Sequence, residues 1–247
     1  MATNSTIKLI SVNIEKHRHI DRVLPFLKRE NPDIICFQEI LETDFPMFLK
    51  KMGFTGYFVP MSTFLIASVS SSEKIGSGLA IMSKFPLEIE VHHYWGSMES
   101  VPEHIHGNIP DSYNRMLLVG KLTKNKDKFS IGNTHFTWSK DGLVDDYQKR
   151  DIVKLMDILA KYPEIIFCGD MNAPRGKEIF GKLVSKYKDN IPSEITTTID
   201  KNLHRAGDLQ HVVDVLFTTP QYVVSDIKIQ DGVSDHMAIV AQISISK

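Results

Sequence analysis

The stretch NPDIICFQEI, residues 31–40, runs an apolar segment into Glu39, and YPEIIFCGDMN, residues 162–172, runs another into Asp170. In both, the acid falls seven residues after a proline, Pro32 or Pro163. Each proline is followed by an acid and two isoleucines, Asp33-Ile34-Ile35 and Glu164-Ile165-Ile166. Such short apolar runs read as buried strands. Upstream of the first, IDRVLPFLKREN sets Ile20, Val23, Leu24 and Leu27 at helical spacing, with Pro25 tolerated near a helix start. Upstream of the second, DIVKLMDILAKY does the same with Ile152, Leu155, Met156 and Leu159. Each copy therefore reads helix, short turn, buried strand, acid. A further amphipathic segment follows each acid. TDFPMFLKKMG has Thr43 or Asp44 as cap and Gly53 as stop, and KEIFGKLVSKY sets Phe180, Leu183, Val184 and Tyr187 on one face. This degenerate repeat of more than 100 residues is too long for a solenoid. It predicts two similar halves facing each other.

Other segments read as strands: IKLISVNI (7–14), GLAIMS (78–83), RMLLVGKL (115–122), KFSIGNTHF (128–136), HVVDVLFT (211–218) and HMAIVAQISI (236–245). Strands outnumber helices, and each helix carries one apolar face. The layered solution is α/β (α+β), with two packed mixed sheets inside and helices outside. The polar stretch 92–114 shows no period and is expected to be a loop beside the site.

The chain has 247 residues, 42% of them hydrophobic, so one domain spanning 1–247 is expected. A formal net charge of −1 argues against a broad basic face that coats nucleic acid. Cys36 and Cys168 each sit inside an apolar run and read as small buried hydrophobes. With no cysteine framework, no basic-then-apolar opening in MATNSTIKLI and no window of 18 apolar residues, a cytoplasmic protein without a membrane span is expected.

Five short stretches place polar groups at strand ends: SVNIE (11–15), FQEI (37–40), NTHF (133–136), GDMN (169–172) and VSDH (233–236). Taken in order, Asn13, Gln38-Glu39, His135, Gly169-Asp170-Met171-Asn172, Asp214 and Ser234-Asp235-His236 resemble the endonuclease/exonuclease/phosphatase superfamily. That group includes deoxyribonuclease I, exonuclease III, inositol polyphosphate 5-phosphatases and neutral sphingomyelinases. The resemblance spans roughly residues 7 to 245. It implies a four-layer, deoxyribonuclease I-like sandwich of two pseudo-symmetric halves, in agreement with the repeat.

The resemblance further implies a Mg²⁺-dependent phosphoesterase, with Mn²⁺ as a substitute, whose substrate is a phosphate ester, nucleic acid foremost. No obligate protein partner is inferred. Glu39 would hold the metal, with Asp235 and Asn13 as further ligands; Glu15 is either a ligand or a helix-start acid. Asp170 would orient or deprotonate the attacking water. Asn172 and His236 would donate to phosphoryl oxygens, and His135 would protonate the leaving oxygen or bind phosphate. Asp214, lone in an apolar run, needs a partner if buried, and His236 supplies one. Arg115, Tyr113 and His204 are candidate substrate contacts, and Thr198 and Asp200 lie on the same polar stretch as His204. The basic cluster EKHRH (15–19) could track a nucleic-acid backbone or simply start a charged helix.

Two departures argue against abasic-site repair. FQEI lacks the Gln-Glu-Thr-Lys continuation of exonuclease III-like members, and HVVDVLF lacks the preceding Arg and Trp. The remaining alternative keeps the chemistry and changes the substrate to an inositol phosphate, a nucleotide or a phospholipid head group. A non-catalytic binding module is the third reading. KIGSGLA (74–80) lacks the ending of a phosphate-cradling loop, and HFTWS lacks the G-x-S-x-G frame of a nucleophilic serine. His92, His93, His104 and His106 fit no closed zinc site and read as a solvated loop.

Overall fold

A computed structural model describes residues 5–65, 74–106, 108 and 110–246. The first half contributes strands β1 (Thr6–Asn13), β2 (Ile34–Leu41), β3 (Thr55–Leu65) and β4 (Lys74–Ser83), with helices α1 (Ile20–Glu30) and α2 (Phe45–Met52). Then come β5 (Glu88–Trp95), β6 (Arg115–Lys124), β7 (Asp127–His135), α3 (Asp146–Leu159), β8 (Ile166–Asp170), α4 (Glu178–Val184), β9 (Lys188–Asp189) and β10 (Asp214–Thr218). Strands β11 (Tyr222–Gln230) and β12 (Ala238–Ile245) return to the first sheet. The two six-stranded sheets run β11-β12-β1-β2-β4-β3 and β5-β6-β7-β8-β10-β9.

The repeat becomes concrete in the pairing. β1 pairs in parallel with β2 through α1, and β7 pairs in parallel with β8 through α3. The remaining ladders are antiparallel. The two acid-bearing strands are thus the second strands of equivalent βαβ units. Their apolar runs do not alternate because both faces are covered. Ile34 and Cys36 face the other sheet and pack with Ile166 and Cys168 in the central core. Ile35 and Phe37 face outward, under Val23, Leu27 and Phe48 of α1 and α2. Phe167 does the same in the second half, against Ile152 and Leu155 of α3 and Phe180 of α4. The result is helix, sheet, sheet, helix. Both cysteines are free thiols inside the central core, and burial raises the Cys36 pKa well above its usual value.

Three expectations need correction. Residues 92–95 belong to β5, so the loop begins after Trp95; His92 and His93 are partly buried on that strand. Pro25 lies inside α1, whose first residue is Ile20. The HVVDVLFT strand starts only at Asp214. Among the described residues no helix is long and apolar enough to cross a membrane.

Candidate active site

Parallel strands end together, so their carboxyl ends gather side chains into one crevice. Asn13 stands opposite Gln38 at the end of β1–β2, and His135 stands opposite Asp170 at the end of β7–β8. Asp214, at the start of antiparallel β10, is also opposite Asp170. The two sheets bring these ends together. Asn13 Nδ2 lies 3.2 Å from Asp170 Oδ2 and 3.4 Å from Glu39 Oε1, spanning the halves.

Local backbone geometry aims the acids. β2 carries a bulge between Phe37 and Ile40, where Glu39 takes a left-handed φ of 56°. A bulge re-aims a side chain that regular alternation would send elsewhere. Glu15, Lys16 and Asn172 are left-handed as well, with φ of 45°, 64° and 47°. Such conformations cost free energy in non-glycine residues and gather at functional sites. Lys16 is held there by its N–H donating to the Glu39 carbonyl at 3.0 Å. Gly169 is required for another reason: a Cβ there would meet the Thr134 carbonyl oxygen at 1.9 Å, and φ is +134°.

Beneath the site, buried Gln38 and Asn133 bridge the sheets. Gln38 Nε2 donates to Asn133 Oδ1 at 2.7 Å, and Asn133 Nδ2 donates to the carbonyls of Phe37 and Ala80. The amides form a polar floor above the apolar core.

Asp170 is the hub. Its Oδ2 lies 3.4 Å from His135 Nε2 and 3.8 Å from His236 Nε2. Its Oδ1 accepts the Asn172 N–H at 2.8 Å. Burial raises the Asp170 carboxyl pKa above its ordinary range, although His236 and His135 oppose this. His236 Nδ1 lies 2.9 Å from Asp214 Oδ2. Burial alone would lower the imidazole pKa, but Asp214 and Asp170 outweigh it and raise His236 well above 6.5. His135 goes the other way: burial lowers it despite Asp170 and Glu39. One imidazole is therefore held charged and its neighbour neutral.

Glu39 is also opposed by burial, yet Lys16 and His135 bring its carboxyl down to about 2. Lys16 Nζ sits 3.2 Å from Glu39 Oε2 and 4.7 Å over the Phe64 ring. Asp235 accepts from Ser234 Oγ and the His236 N–H, and burial raises its pKa. Glu15, His19 and Asp235 have ligand atoms within 4.8 Å of one another, as do His204, Asp235 and His236.

Glu15 and Asp235, which cluster with His19, are hard oxygen donors of the kind Mg²⁺ and Mn²⁺ take, and Glu39 lines the same cavity without joining any of the close clusters among the described residues. The ammonium already seated on Glu39 shows that this carboxylate accepts a cation. The donor set fits a divalent ion. The Asn13 Oδ1 is taken by the Glu15 N–H at 3.1 Å, so Asn13 turns its amide nitrogen toward Glu39 and Asp170. In this orientation it braces the acids as a donor.

Glu15, Lys16, Glu39, His135, Asp170, Asn172, Asp235 and His236 line a cavity of about 560 Å³, together with His104, His106, Tyr113, Arg115, Trp138, His204 and Arg205. Arg115 is buried; one terminal nitrogen donates to the carbonyls of His135 and Phe136, and its Nε has no partner. Tyr113 is half-buried against Phe64 and His104. His204 Nδ1 accepts the Ala206 N–H, which turns Nε2 outward. Thr198 and Asp200 are used structurally. Thr198 Oγ1 accepts the N–H groups of Val213 and Asp214, and Asp200 Oδ2 accepts that of Gly232. Lys16 and Trp138 carried no assigned role in the sequence. Lys16 was masked by a cluster that reads as a charged helix start, and Trp138 by a motif read only for its serine.

A family model described as endonuclease/exonuclease/phosphatase matches residues 10–236. The chain belongs to the endonuclease/exonuclease/phosphatase family. Members are generally metal-dependent hydrolases of phosphoesters. Solved structures share the fold at low identity. An endonuclease/exonuclease/phosphatase from Bacteroides vulgatus is 16% identical with a TM-score of 0.71, over 98% of this chain and 100% of that chain. The human Nocturnin catalytic domain is 18% identical with a TM-score of 0.69, over 98% and 94%. ANGEL2, described as a 2′,3′-cyclic phosphatase, is 12% identical with a TM-score of 0.71, over 98% and 96%. No curated protein sequence matches the chain.

Proposed function

We propose that this protein is a metal-dependent phosphodiesterase acting on nucleic acid. The observation that carries the reading is the convergence of both halves on Asp170, with Asn13 and Glu39 from one sheet and His135 and Asp214 from the other. Glu39, Asp235 and Glu15, which line the same cavity, would hold the divalent ion. When bound, that ion supplies charge stabilisation at the phosphoryl group. Asp170 orients the attacking water and takes its proton; burial, which raises its pKa above the ordinary carboxylate range, makes it a stronger base than a solvated carboxylate. His236, kept protonated by Asp214, donates from Nε2 to a phosphoryl oxygen. Asn172 spends one amide hydrogen on the Phe136 carbonyl and keeps the other for a phosphoryl oxygen. His135, neutral at rest between Asp170 and Glu39, can relay to the leaving oxygen the proton that Asp170 takes from the water, and so return to its neutral form.

A second reading follows from the cavity. About 560 Å³ is the size of a small-molecule pocket, which favours a nucleotide-sized or other small phosphate ester. Purified protein would be assayed on single- and double-stranded DNA, RNA, nucleotides, inositol phosphates and sphingomyelin, with Mg²⁺ or Mn²⁺ and with EDTA. Hydrolysis that EDTA abolishes supports the chemistry, and the preferred substrate separates the readings. Glu39→Gln should lower turnover by about 100-fold or more while the thermal transition persists. Wild-type protein inactive on all of these would sink both readings.

A further inference from the structure

We propose that Trp138 is the platform of a nucleobase subsite, so that the substrate carries a purine or pyrimidine beside its scissile phosphate. This rests on reading the cavity as a phosphoesterase site. Ten large hydrophobic side chains are exposed among the described residues, and Trp138, at 38%, is the one that lines this cavity. Every other lining residue is polar or titratable. Among the described residues its indole has no hydrogen bond, ring or cation partner. A bare indole in a cavity of ionic groups lacks the solvent or packing rationale of a scattered surface hydrophobe.

The backbone beneath the indole is rigid. Thr137 and Ser139, on either side, are 1% and 3% exposed. Thr137 Oγ1 donates to the buried carboxylate of Asp151, which Arg150 pairs at 2.6 Å. Gln148 Nε2 donates both to the Thr137 carbonyl at 2.8 Å and to the Asn172 carbonyl at 3.1 Å. One amide thus fixes the platform relative to a group that faces the phosphate. A ring carried on a backbone that is fixed before binding leaves less to order on stacking.

The ring's chemistry points to a neutral planar partner. A quaternary ammonium head group takes a cage of several aromatic faces. Here the aromatic carbocycles lining the cavity are Trp138 and Tyr113, and Tyr113 is already met by Arg115 and His104, so the indole is one open face and no cage. A nucleobase stacks on one face, and its phosphate meets the cations.

The test is equilibrium binding in EDTA, where nothing is turned over, by indole fluorescence and calorimetry. Ligands are the 5′- and 3′-monophosphates of adenosine and cytidine, ribose 5-phosphate and phosphocholine. The chain has two tryptophans. Trp95 lies under Arg150 and off the cavity, so Trp95→Phe isolates the Trp138 signal. At least one nucleotide should quench that signal and bind about 5- to 150-fold tighter than ribose 5-phosphate. Trp138→Ala should collapse the preference, and Trp138→Phe should restore most of it. Ribose 5-phosphate or phosphocholine binding as tightly as every nucleotide, or a preference that survives Trp138→Ala, overturns the subsite and leaves the phosphoesterase reading standing. Absence of binding by all ligands, with no phosphoester hydrolysed under Mg²⁺ or Mn²⁺, overturns both.

Discussion

Asp214→Asn isolates one interaction at the centre of the site. The 2.9 Å contact to His236 Nδ1 survives as a hydrogen-bond acceptor of the same shape, but the negative charge is gone. Two unit charges whose centres lie about 4 Å apart, as across such a contact, interact by about 4 kcal/mol at an effective dielectric of 20. At about 1.36 kcal/mol per unit, that is up to about three units of imidazole pKa. Asp170 and Asp235 remain and retain part of the effect, while burial still opposes the charged form. A fall of about 1–2 units is expected, which shifts His236 toward its neutral form. Losing a charged donor to the phosphoryl group should lower kcat about 100-fold. The Cε1–H resonance of His236, identified by its loss in His236→Gln, would be followed by NMR across pH in metal-free protein. The sign for stability is fixed as well. Because the folded pKa is raised, the pair's contribution is full below about 6.5 and is lost as pH rises through the folded value. Urea denaturation of wild type should show this decline, and Asp214→Asn should flatten it. An imidazole that titrates at the same pH in variant and wild type would refute the assignment of its charge to Asp214.

Lys16→Met removes the ammonium from Glu39, whose pKa should climb from about 2 toward the ordinary carboxylate value. Since a depressed pKa contributes stability above the unfolded value and loses it as pH falls, acid unfolding of the variant should begin at higher pH, as circular dichroism would show. Gly169→Ala places a methyl 1.9 Å from the Thr134 carbonyl at a φ of +134° and should destabilise by at least about 3 kcal/mol in urea denaturation; a loss below about 1 kcal/mol would show that the strands separate easily.

The internal strands were legible in the sequence and the edges were not. The eight strands read from apolar pattern or repeat, β1, β2, β4, β6, β7, β8, β10 and β12, are all internal to their sheets. The four missed, β3, β5, β9 and β11, are the four sheet edges. An edge strand is half solvated, so its sequence carries mixed polarity and tolerates Pro60 in β3 or the polar run of β11. The same physics limited the reading of 92–114, whose first residues complete edge strand β5.

The candidate site divides along a related line. Acids at the ends of buried strands, a glycine before Asp170 and a lone aspartate in an apolar run are local signals, because burial on both faces leaves few residue types free to vary. The sequence alone therefore determined the layered fold and its two equivalent units, and pointed to most of the residues that gather at the candidate site. Only the tertiary structure decided that Asn13 turns nitrogen rather than oxygen to the acids, that Lys16 seats on Glu39 and that Trp138 stands bare in the cavity. Those outcomes depend on a strand bulge, left-handed turns and contacts between halves more than 100 residues apart, where distance in space bears no relation to distance along the chain.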